Sequence, residues 1–208
     1  VVNLAVKRPA GEWLAGLFGC PGAGDVRLAV APAGLLLALL FLAPLTEEAI
    51  KVLPLAIPGV RRLMSSGLTA LYVGLALGIG FGLGEAAFIA VGIARAPQFA
   101  GLPWYAFGGY LGERLQVTLA HGLLTGVCAA GLRAGGWRAA AGYGAAVTLH
   151  ALLNVGALAY QAGWIGAMAA SISLAGALLV AALPFMWLRQ RGVRAGEAEP
   201  AAEERVYF

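Results

Sequence analysis

Charge is scarce in this chain of 208 residues: Asp, Glu, Lys and Arg together make up 12% of it, about half the share usual in a soluble globular domain. Cysteine occurs only twice, as Cys20 and Cys128, which excludes a disulfide-rich secreted module; Cys128, inside an apolar segment, reads as a small packing residue. No run of basic residues accompanies the net charge of +4, so no nucleic-acid partner is expected. The chain shows no internal repeat, and Val1–Phe18 lacks the long apolar centre of a cleavable signal peptide. What it has in abundance is apolar surface. Hydrophobic residues reach 61% and the mean hydropathy is +0.83, which rules out a disordered chain and a water-soluble domain. Glycine contributes 31 residues; in lipid, small residues let helices approach closely. The fold class expected is an all-α polytopic transmembrane helix bundle.

A membrane-crossing helix needs about 20 apolar residues. Five stretches qualify, roughly Leu28–Pro58, Gly67–Ala94, Tyr105–Leu132, Ala139–Tyr160 and Ile165–Leu188. The first is long for one span and contains Pro44 and Pro54, so it is either kinked or a shorter span joined to a second helical piece. The organisation expected is an N-terminal interfacial segment over 1–27, a bundle over 28–188 and a disordered tail over 189–208. With one crossing per stretch, Arg61, Arg62, Arg133, Arg138, Arg189, Arg191 and Arg194 fall on one side, while Lys7, Arg8, Arg27 and Arg95 fall on the other. Positive charge favours the cytosolic side. The first and third inter-span loops and the C-terminus are therefore expected in the cytosol of a multi-pass cell-membrane protein. The five tryptophans lie near expected span ends, as an aromatic belt requires.

Outside the N-terminal segment and the tail, the acidic residues are Glu47, Glu48, Glu85 and Glu113. Three of these, and both histidines, His121 and His150, fall inside apolar spans. Burying charge in a bilayer costs about 2.5–3.5 kcal/mol on insertion scales, so such a residue is a functional hypothesis by default. Counted from the expected cytosolic ends at ~1.5 Å per residue, Glu47 lies at about 16 Å, His150 at about 17 Å, His121 at about 18 Å, Asn154 at about 22 Å and Glu85 at about 27 Å. Helical faces agree too. Lys51 sits angularly between Glu47 and Glu48 and can pair with either. His150 shares a face with Asn154, Phe81 with Glu85, and Arg114 with His121. Arg114 and Glu113, near the outer end of the third stretch, read as interfacial.

Thr46-Glu47-Glu48-Ala49-Ile50-Lys51 matches an E-E-x-x-K motif, and Phe81-Gly82-Leu83-Gly84-Glu85 matches F-x-x-x-E. His121-Gly122-Leu123-Leu124-Thr125-Gly126 and His150-Ala151-Leu152-Leu153-Asn154 follow as two histidine motifs in order. Together they resemble the PrsW family of glutamic-type intramembrane proteases, which shares a superfamily with the CAAX prenyl proteases. The CAAX branch usually reads E-E-x-x-x-R and F-x-x-x-H, so Lys51 and Glu85 favour the PrsW branch over prenyl-cysteine substrates. The resemblance implies a metal-independent peptidase with no cofactor, acting on a membrane-anchored protein such as an anti-sigma factor. It implies that Glu47 holds and activates a water, that Lys51 neutralises Glu48, that Glu85 is a second group on the water, and that His150 and Asn154 donate to the oxyanion. His121 would orient the water or complete the proton path.

Other readings of the same residues are a zinc-dependent protease using His121, His150 and a Glu, a non-catalytic scaffold or immunity protein, and a proton-coupled transporter. The absence of H-E-x-x-H counts against the zinc enzyme, and the absence of a repeat counts weakly against the transporter. The scaffold subunit of gamma-secretase resembles the same superfamily without being the proteolytic subunit, so a scaffold is not excluded by the motifs alone.

Overall fold

The computed structural model describes Trp13, Leu17 and residues 31–198. The expected interfacial segment around Gly11–Phe18, Cys20, and the basic residues Lys7, Arg8 and Arg27 fall mostly or wholly outside these residues. Among the described residues there is helix and no strand. Helix α1 spans Ala33–Val52, α2 Pro58–Arg62, α3 Gly67–Arg95, α4 Gly108–Ala134, α5 Gly136–Gln161 and α6 Ala167–Ala198. Five helical segments are long and apolar enough to cross a membrane, and the chain is a multi-pass membrane protein.

The first apolar stretch takes the second of its two expected forms. Helix α1 continues through Pro44 and gives way after Val52 to a 3-10 turn over Leu53–Ala56 and then to α2. The prolines set the break. Pro54 opens the 3-10 turn, and Ile57 is extended (ψ 123°) because Pro58 follows it. Ser66 then caps α3: its hydroxyl accepts from the Thr69 backbone N–H at 3.1 Å, and the Ser66 N–H donates to the Thr69 hydroxyl at 2.7 Å. Helix α6 does not stop at Leu188 but continues to Ala198, so the expected disordered tail is helical over its first part. The remainder, 199–208, lies outside the described residues.

Helix α4 is the axis of the bundle. Every residue from Ala120 to Ala129 is buried, the mark of a helix surrounded on all sides. Helices α5 and α6 close on it through Leu124, Cys128, Ala146, Leu153, Ala177 and Ala181. Helix α3 packs along α4 through Gly74, Gly78 and Gly82, one residue per turn on a single face. A Cβ on Gly82 would stand 2.7 Å from Thr118 Cα, and one on Gly78 would meet the His121 carbonyl. Only glycine permits so close an approach, and in lipid close packing supplies the association that the hydrophobic effect supplies in water. This seam places the second half of α3, with Glu85, beside the first half of α4. Other large apolar side chains face outward; Leu83, Phe88, Met168, Ile172 and Leu179 are all exposed, as lipid-facing residues should be.

Candidate active site

Helix α1 brings its polar residues into the bundle through the same stretch that binds α5. The Tyr143 hydroxyl donates to the Leu45 carbonyl at 2.7 Å, and the next turns of α1 carry Glu47, Glu48 and Lys51, all buried. Adjacent residues on a helix point about 100° apart, so the two carboxylates cannot do the same thing. Glu48 is fully enclosed. Its Oε1 accepts from Lys51 Nζ at 2.6 Å and from His150 Nδ1 at 2.7 Å. Glu47 turns the other way. Its Oε2 lies 3.7 Å from His150 Nε2 and 4.0 Å from Lys51 Nζ.

Lys51 reaches one helix further. Its Nζ lies 2.7 Å from His121 Nδ1 on α4 and 4.8 Å from the centre of the Phe81 ring. An ammonium only donates, so His121 Nδ1 is the acceptor and the ring proton sits on Nε2. That nitrogen lies 3.1 Å from Glu85 Oε2. Glu85 was expected deeper than His121, yet the two meet. Side chains lean toward the N-terminus of their own helix, and α3 and α4 run antiparallel, so Glu85 and His121 lean toward each other. The two imidazoles stack edge to face at 5.1 Å, and Phe81 packs on the other side of His121 at 5.4 Å.

A cavity of about 580 Å³ opens from this cluster. Glu47, Glu85, His121, His150 and Asn154 all line it, so five of the six residues singled out in the sequence face one space. Glu48, the sixth, stands behind His150 rather than on the wall. The cavity is also lined by Gly109, Glu113, Tyr160, Gln161 and Ala167. These belong to the start of α4, the end of α5 and the start of α6, so the cavity runs toward that end of the bundle.

Arg114 also belongs to the wall. Its guanidinium lies 2.6 Å from Glu113 Oε1 and 3.6 Å from Glu85 Oε2. Sequence reasoning assigned it to the interface; its seven-residue spacing from His121 was the signal that it shares the inward face. Four carboxylates, Glu47, Glu48, Glu85 and Glu113, thus gather around two fixed cations, Lys51 and Arg114. Glu47, His121 and His150 each offer a ligand atom, all within 4.8 Å of one another, which is a spacing a metal ion could occupy.

Compared with family models, with curated proteins and with solved structures, the chain finds no match.

Proposed function

We propose that the protein is an intramembrane endopeptidase that hydrolyses a peptide bond of a membrane-anchored protein, with Glu47 as general base. The observation that carries this reading is the pair Glu47 Oε2 and His150 Nε2, 3.7 Å apart on the wall of one cavity, with His150 held from behind by Glu48 at 2.7 Å. The separation is too long for a direct hydrogen bond and lets both groups contact one water.

Glu47 takes a proton from that water as its oxygen attacks the carbonyl carbon, and later passes the proton to the leaving amine. As an imidazolium, His150 keeps one N–H on Glu48 and turns the other toward the developing oxyanion, with the Asn154 amide beside it. Donors so placed are worth about 3–4 kcal/mol each in transition-state binding. His121 donates to Glu85 and holds that carboxylate at the cavity wall. The motif resemblance to PrsW-type proteases supports the same assignment of roles. The arginines at the C-terminal ends of α2, α4 and α6 and at the start of α5 support a cytosolic assignment for that end by the positive-inside rule. The cavity then opens toward the outer half of the bilayer, where the substrate segment would enter.

The test is Glu47→Gln, in purified protein reconstituted with a library of single-span reporter peptides. Cleavage by the wild type and a loss of about 100-fold or more in the variant are expected. Undiminished cleavage removes Glu47 as the base.

A second reading rests on the Glu47, His121 and His150 spacing. Two histidines and a carboxylate suit zinc, and a carboxylate behind a ligating histidine, as Glu48 is behind His150, is the usual support for such a ligand. Against it, both nitrogens of His121 are already engaged, by Lys51 and by Glu85, so ligation would require His121 to release one of them. About one zinc per chain, together with activity lost to a chelator and restored by zinc, would favour this reading.

A further inference from the structure

At the opposite end of the bundle, a groove of about 930 Å³ lies between the first turn of α3, the end of α4, the start of α5 and the last third of α6. Its walls are built of small residues, among them Ala130, Ala134, Ala141 and Gly131. At its floor α4 and α5 touch backbone to backbone: a Cβ on Gly142 would lie 3.0 Å from Gly131 Cα. The rim is different. Arg138 on α5 and Arg191 on α6 both line it, each set against a tryptophan. The Arg191 guanidinium lies 3.9 Å from the centre of the Trp187 ring, and that of Arg138 lies 5.9 Å from the centre of Trp137. Among the described residues neither arginine forms an ion pair, and no acidic side chain lines the groove. From Arg138 down to Ala145, and from Arg191 down to Pro184, the groove descends two helical turns, about 10 Å.

We propose that this groove is a binding site for one anionic phospholipid. The two arginines take the phosphate-bearing headgroup, and the alanine and glycine walls take the upper part of an acyl chain. The charge and the shape point to the same ligand. Arginine forks match phosphate oxygens, and basic pockets between membrane helices are suited to anionic headgroups. The walls offer no carboxylate to receive the cationic part of a zwitterionic lipid. The two tryptophans are at home at the level of the headgroups and hold the guanidinium groups over the groove. The site is separate from the Glu47 cavity, and the inference stands whether or not the chain is a peptidase.

Native mass spectrometry of the purified full chain tests this, with equimolar phosphatidylglycerol and phosphatidylcholine of identical acyl chains. The first lipid retained should be phosphatidylglycerol. In R138Q/R191Q, that preference should fall by about tenfold or more. R61Q/R62Q removes equal charge from the same end but outside the groove, and should keep the preference. A141W fills the groove with both arginines intact and should also lose the lipid; circular dichroism confirms that each variant is folded. Absence of preference in the wild type, an unchanged preference in R138Q/R191Q, or an equal loss in R61Q/R62Q would overturn the proposal. Displacement of the lipid by inorganic phosphate alone would overturn the acyl-chain half of it.

Discussion

Lys51 on α1 and His121 on α4 meet at 2.7 Å inside the bundle, and the same ammonium holds Glu48 at 2.6 Å. One side chain thus neutralises a carboxylate on its own helix and sets the tautomer of a histidine on another. The proton of His121 is thereby aimed at Glu85.

Removing that ammonium should be costly. In Lys51→Met, Glu48 remains enclosed without its fixed cation and with His150 as its remaining partner, and about 3–5 kcal/mol of stability should be lost. Adding Glu48→Gln should recover part of the loss, because the charge left behind is then absent. Unfolding of the detergent-solubilised protein in SDS, followed by circular dichroism, measures both. A double variant no more stable than Lys51→Met would show that Glu48 is not the residue Lys51 serves.

Glu48 does not touch the cavity, so its effect on catalysis should pass through His150. Glu48→Gln is expected to lower kcat by roughly 10-fold or more, since losing the carboxylate behind a histidine costs about 10–100-fold at a metal ligand and more at a catalytic base. KM should stay nearly constant. A change in KM with kcat preserved would place Glu48 in substrate binding instead.

The glycine seam between α3 and α4 makes a positional prediction. Gly78→Val would drive its side chain into the backbone of His121 and Gly122, whereas a side chain at Gly80 meets open space. Gly78→Val should cost about 1–3 kcal/mol or more and loosen the contact between Glu85 and His121. Gly80→Val should be close to neutral in the same unfolding assay.

Access to the cavity can be mapped with thiols. Ser171 on α6 lines it, while Cys128 is buried in the core. In a Cys20→Ser background, Ser171→Cys should react with a membrane-impermeant maleimide added to right-side-out vesicles, and Cys128 should not. Labelling only in inverted vesicles would reverse the proposed orientation.

The spans were legible because membrane helices need uninterrupted apolar length, and the sequence has five such lengths. Their ends were less legible. Trp137 and Arg138 are polar enough to look like loop, yet they form the first turn of α5; Arg189, Arg191 and Arg194 likewise extend α6 rather than end it. Hydropathy registers where lipid stops, not where backbone hydrogen bonding stops. Within the cluster, the i, i+4 spacings and matched depths singled out Glu47, His121, His150 and Asn154, which line one cavity. What they left open was which carboxylate of the Glu47-Glu48 pair faces the cavity, since that depends on the rotation of α1 against α5. The inward position of Arg114 was obscured by Glu113 beside it, which makes a helix end look solvated.

Helix α1 is joined to its neighbours by Glu48 with His150, by Lys51 with His121 and by the Tyr143 hydroxyl on the Leu45 carbonyl. In a bilayer those links do the work of gluing the first helix in place, since its greasy flanks are as content among acyl tails as among protein. On the proposed reading, the reactive apparatus and the fastening are therefore made from shared side chains. A lineage altering its chemistry would have to rebuild its joinery in the same mutational step, which leaves little room for gradual drift at these positions.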